Sequence, residues 1–162
     1  MDDLVKWFGA QLDEDERIAR AASWTDDANA WHAEPSPFGA RDAGQRWYIE
    51  DAIDDGVVSH VDPAASDHEG VARHIAEWDP ARVLREIDSK RRVLGVYASA
   101  LKDRAALRDR MREVVDSDPD EFYRLHRQES DLIGRARQLG PIVRLLALPY
   151  ADRPGYLDDW RL

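Results

Sequence analysis

The chain has 162 residues, a net charge of −10 and no cysteine. That length suits one domain, and the lack of thiols excludes disulfides, thiolate metal sites and cysteine nucleophiles. No apolar run reaches the roughly 18–20 residues of a membrane span, and the acidic Met1-Asp2-Asp3 start lacks a signal peptide's apolar core, so a cytoplasmic protein is expected.

The charge is uneven. Residues 1–70 hold 17 Asp/Glu against 5 Lys/Arg, whereas residues 71–162 hold 16 against 18. An acidic half can repel nucleic acid, mimic it or face a basic partner; it can also be simple solvated surface.

Asp2–Ala22 reads as a helix. Leu4, Val5, Phe8, Leu12, Ile18 and Ala22 recur near helical spacing, and Asp2 and Asp3 suit its start. Asp13-Glu14-Asp15-Glu16 crowds four carboxylates into one turn. Consecutive helical residues diverge by about 100°, so these do not converge on one ion. Ser23–Gly44 is irregular, with Trp31–Glu34 as a short strand ended by Pro35, and Trp24 and Trp31 as a lid over a sheet.

Residues 45–61 carry the strongest β signal. Alternation around Trp47 and Ile49, then Asp54-Asp55-Gly56, then Val57–Val61 predict a hairpin whose turn uses the positive φ that Asp-Gly tolerates. Two strands alone are marginal, so the Trp31 segment and the following helices are the expected partners.

Ser66-Asp67-His68-Glu69 matches a capping box, predicting a helix to about Trp78 with Val71, Ile75 and Trp78 on one side. Asp79-Pro80 then signals a new start, an Asp cap followed by proline at the first helical position. A helix of about 35 residues is expected from there, with Gly95 marking a bend or a close crossing. Asp118-Pro119 repeats the start signal, and the short link implies an antiparallel helical hairpin. Gly140-Pro141 should kink or break the second helix. Tyr150, Tyr156 and Trp160 should pin down an irregular tail.

Three runs, Leu12–Ala22, His74–Leu94 and Leu145–Asp152, resemble a widespread small-protein family of actinobacteria and their phages that carries only a domain-of-unknown-function label. The hairpin at about 96–140 has no counterpart in the resemblance and reads as a variable insertion. Family members often have histidine where this chain has Arg153. The resemblance implies no established activity and supplies no catalytic residue.

The residue patterns of common chemistry point the same way. Among His32, His60, His68, His74 and His126 no pair has the i, i+4 spacing of a helical metal site, and no Gly-rich phosphate loop or nucleophile elbow is present. No catalytic residue, metal site or cofactor is assigned. Residues 80–115 hold ten Lys/Arg against five Asp/Glu. Trp78, Arg82, Arg85, Lys90 and Arg92 therefore form the candidate binding set, for nucleic acid or a nucleotide phosphate. The competing reading pairs these cations with acids such as Glu86 or with the acidic N-terminal half.

The expected fold is α+β and mainly helical: a small antiparallel sheet packed on helices, in a single domain over 1–162. Residues 1–94 and 141–162 would form its core and 95–140 a helical-hairpin extension. The expected function is non-enzymatic binding of another protein by a small accessory or regulatory factor. The exposed hairpin suits a homodimer, and nucleic-acid or nucleotide binding is the alternative.

Overall fold

The computed structural model describes residues 3–36, 46–61 and 67–161. The fold is α+β and mainly helical. Four helices, α1 (Asp3–Ala21), α2 (His68–Glu77), α3 (Pro80–Val114) and α4 (Pro119–Ala147), accompany three strands, β1 (Trp31–Pro35), β2 (Trp47–Asp51) and β3 (Gly56–Val61). Two compact units divide the chain: Glu14–Ile87, and Met1–Asp13 with Asp88–Leu162. The divisions fall inside α1 and α3, so each of these helices serves both.

The unit Glu14–Ile87 is built on the sheet. Its strands pair antiparallel in the order β1-β2-β3, with Trp31 opposite Asp51 and His32 opposite Glu50. β2 alternates as expected, with Trp47, Ile49 and Asp51 turned inward. Ala72 and Ala76 of α2 pack with Trp47, Ile49 and Val61, and Trp31, Ala33, Val71 and Ile75 close the edges of this core. Small residues at the centre of α2 let helix and sheet approach closely.

The β2–β3 turn differs from the Asp55-Gly56 expectation. Asp54 takes the left-handed conformation, at φ 64°, and Gly56 simply begins β3. The cause is Asp51. One of its carboxylate oxygens accepts the N–H groups of Ile53 and Asp55, both at 3.0 Å, while its carbonyl accepts from Asp54. This ties the bend one step earlier, and aspartate tolerates left-handed backbone.

The N-cap of α2 is Asp67, whose side chain accepts from Gly70 N at 2.8 Å. Ser66, expected to cap it, lies outside the described residues. A Cβ at Gly70 would crowd the Asp67 carboxylate, so any other residue there would have to displace that side chain. Trp78 departs from its expected place beside Val71 and Ile75. It is the C-cap residue, with φ −98° and ψ 40°, so its side chain leaves the helical row and is 46% exposed.

The other unit is a helical core. Leu4, Phe8 and Leu12 of α1 are buried, as are Leu94, Ala100, Met111 and Val114 of α3 and Leu125, Val143 and Ala147 of α4. α3 has the expected 35 residues. Arg110 meets Glu121, Arg104 meets Glu129, and Tyr97 lies beside Gly140, the rising-and-falling order that an antiparallel pair requires. Asp118 caps α4, accepting from Glu121 N at 2.9 Å.

Of the expected roles of two glycines, the close crossing at Gly95 and the break at Gly140-Pro141 are corrected. A side chain at Gly95 would meet nothing within 4 Å, so Gly95 marks no close crossing. Gly140-Pro141 does not break α4, which runs on to Ala147. Val143 and Ala147 are fully buried beyond the proline. Their packing offsets the one backbone hydrogen bond that proline removes.

The tail packs down as expected. Trp7 is flanked by Tyr156 and Trp160, with ring centroids 5.4 and 5.3 Å away. Tyr150 is buried against Phe8. Arg153, the position at which the resembled family often has histidine, stacks on Tyr150 at 4.7 Å.

Candidate functional site

The α2–α3 corner forms a polar concavity in the unit Glu14–Ile87. Asp79 organises it. One carboxylate oxygen accepts Arg82 N at 2.6 Å and caps α3; the other accepts Trp31 N at 3.2 Å and ties β1 to the corner. Around it lies a pocket of about 440 Å³ whose walls include His32, Arg73, Glu77, Arg82 and Arg85.

The five candidate residues do not act as one patch. Arg82 lies 4.3 Å over the Trp78 ring. The same guanidinium donates to Glu77 Oε1 at 2.8 Å and to Glu86 Oε1 at 3.3 Å. Arg85 shares the pocket wall with Arg82. Lys90 and Arg92 belong to the other unit. Two residues apart on α3, they point about 160° away from each other. Lys90 donates to the Tyr150 hydroxyl at 3.3 Å, and Arg92 pairs with Asp88 at 2.8 Å on the exposed side.

Five further arginines of α3 follow the same pattern. Arg91 reaches Asp13, Arg104 and Arg108 share Glu129, Arg110 bridges Glu113 and Glu121, and Arg112 pairs with Asp109. Most partners sit on α3 itself or on α4. Among these pairs, only the one between Arg91 and Asp13 reaches the acidic N-terminal half. A face whose charge is spent on neighbouring carboxylates attracts phosphate weakly.

Two buried carboxylates escaped the sequence reading. Burial alone would raise the Asp51 carboxyl. The Trp24 indole, at 3.0 Å, the amides of Asp55 and Ile53 and the nearby His32 outweigh it and hold the group below its ordinary value. Glu129 is also held low. Its hydrogen bond from Arg108, at 2.7 Å, outweighs burial, and Arg104 adds to it. Both are structural acceptors with their lone pairs in use. Asp51 was legible as the third inward position of β2. Glu129 sits seven residues after Phe122 and four after Leu125, in the row that otherwise reads apolar.

Trp31 packs on the sheet core, as a lid should. Trp24 does not cover it: the ring stays 65% exposed and only its N–H is anchored, on Asp51.

The helical unit carries a different kind of surface. Ile142, Leu145 and Leu148, spaced by three residues at the end of α4, are 44, 55 and 43% exposed. Leu145 and Leu148 border a groove of about 380 Å³ with Arg144, Trp160 and Arg161. Arg144 has no ion-pair or hydrogen-bond partner among the described residues. Large side chains left in water in a row cost solvation free energy that a partner surface would recover.

No helix among the described residues is long and apolar enough to cross a membrane. A family model described as "Family of unknown function (DUF6221)" matches residues 1–162. No curated protein and no solved structure matches the chain.

Proposed function

This chain belongs to that family of unknown function, and from this premise we propose a non-enzymatic accessory or regulatory protein that acts by binding another protein. We place its origin in actinobacteria or their phages, following the residue runs from Leu12, His74 and Leu145, and its work in the cytoplasm. The observation that carries the binding role is the exposed row Ile142, Leu145 and Leu148 beside the Trp160 groove. Three leucine-type side chains at helical spacing next to an aromatic floor suit an apolar partner segment, with Arg144 at the rim to meet an acidic side chain.

The alternative, nucleic-acid or nucleotide binding at the helix starting at Pro80, draws less support because Arg82 and Arg92 are paired with carboxylates. A homodimer would present the same chemistry to a second copy.

The test is a double substitution, Leu145→Glu with Leu148→Glu, at exposed positions that do not hold the core. Helical circular dichroism should be unchanged. Proteins captured from an extract of the source cells by the native chain should be lost. Sedimentation of the purified chain separates self-association from a foreign partner. Equal capture by both chains would sink the proposal, as would saturable, salt-sensitive binding of labelled DNA, RNA or nucleotide.

A further inference from the structure

The face of the sheet turned away from α2 brings together three metal-ligating side chains that are far apart in sequence: His32 on β1, Glu50 on β2 and Asp54 in the β2–β3 turn. We propose that these residues form a binding site for a divalent transition-metal ion of the zinc type.

Strand pairing sets the first two ligands. His32 and Glu50 are direct cross-strand partners, and side chains in that relation lie on one face of a sheet. Because residues of a strand alternate between faces, both point away from the core that Trp31, Ala33, Trp47 and Ile49 form with α2. His32 Nε2 and Glu50 Oε2 are 3.7 Å apart. The third ligand comes from the turn. Asp54 is placed by the hydrogen bonds that fold the chain around Asp51, and Asp51 is itself anchored by Trp24. The scaffold beneath the site is therefore tied down independently of any ion.

The distances suit an ion. One donor atom from each residue lies within 4.8 Å of the other two. Zinc bonds nitrogen and carboxylate oxygen at about 2.0–2.2 Å, so two donors on one ion stand up to about 4.4 Å apart, and about 3.5 Å in a tetrahedron. Contraction by about 1 Å, within reach of side-chain rotation, closes the set. An imidazole and two carboxylates carry two negative charges toward the cation when the imidazole is neutral. The imidazole nitrogen favours zinc-type ions over the hard, all-oxygen chemistry of calcium and magnesium. Three protein donors leave a fourth position for water or for a donor from a bound partner.

The test is titration calorimetry of the metal-stripped full chain with Zn2+, against Asp54→Asn and His32→Ala. Asparagine tolerates the left-handed backbone at position 54, so that variant removes one ligand charge and keeps the turn. One equivalent of Zn2+ should bind the native chain. Both variants should bind it at least tenfold more weakly, a loss no smaller than outer-shell changes produce at metal sites. If His32→Ala fails to fold, Asp54→Asn carries the comparison. No saturable uptake by the native chain would overturn the site. Equal affinity in the variants would overturn it too, by sending the ion to other residues. Equal affinity for Mg2+ or Ca2+ would overturn the metal class.

Discussion

The indole N–H of Trp7 donates to the carbonyl oxygen of Pro154 at 2.9 Å, a bond that spans 147 residues of chain. It fastens the tail to α1. The residue after that carbonyl, Gly155, has φ 85°, and a side chain there would come within 3.1 Å of the same indole. Backbone conformation and space both demand glycine. Gly155→Ala should therefore destabilise the chain by about 1–3 kcal/mol, combining left-handed strain with a displaced tryptophan. Trp7→Phe, which keeps an aromatic ring but not the donor, should cost less, about 0.5–1.5 kcal/mol. Urea unfolding followed by circular dichroism gives both values; equal stability of Gly155→Ala and the native chain would contradict the tail geometry.

Glu129 links α3 to α4 through Arg104 and Arg108. Glu129→Gln should cost about 1–3 kcal/mol, since it removes the charge that two guanidiniums share at a nearly buried carboxylate. The pH dependence has a definite sign. The folded-state carboxyl is held below the ordinary 4.5, mainly by Arg108. Its contribution is complete above about 4.5 and disappears as the pH falls through the lower folded value. The stability gap between native chain and Glu129→Gln should be constant from pH 7 to about 5 and close in more acidic solution. A gap that widens in acid would refute this role.

Asp79 bridges two amides that belong to different elements, Arg82 N at the start of α3 and Trp31 N at the start of β1. Asp79→Ala should cost at least the 0.5–2 kcal/mol of a helix cap, roughly, plus the strap to β1. Amide hydrogen exchange separates the two contributions. Exchange should quicken at both Arg82 and Trp31 in the variant. Faster exchange at Arg82 alone would mean that the strap to β1 carries no weight.

The long helices were legible because their starts are chemical rather than statistical. Asp79-Pro80 and Asp118-Pro119 each pair a capping carboxylate with a residue that lacks the amide a helix start cannot use. Gly140-Pro141 misled because a local breaking signal competes with burial, and Val143 and Ala147 continue the buried row through it. Trp78 stands one residue past the end of α2, where helical spacing no longer sets the direction of a side chain. Asp51 and Glu129 were hidden for a related reason: a search for apolar periodicity skips a carboxylate that occupies an inward position. His32 and Glu50 lie 18 residues apart and meet only through strand register. A histidine search based on helical spacing has no means of pairing them.

The remaining prediction concerns Asp51 and Trp24. One Asp51 oxygen serves the turn amides of Ile53 and Asp55, and the other serves the Trp24 indole. Asp51→Asn can keep the first arrangement through its carbonyl oxygen. Its amide group then faces the Trp24 N–H, donor against donor, so Trp24 must let go. Trp24→Phe removes the same bond from the other side and leaves the turn intact. If the two residues act through this one contact, Asp51→Asn should cost less in the Trp24→Phe background than in the native chain. Simple additivity in urea unfolding would show that the indole bond does not contribute. The order of severity follows as well: Asp51→Ala, which also strips the acceptor from both turn amides, should destabilise more than Asp51→Asn.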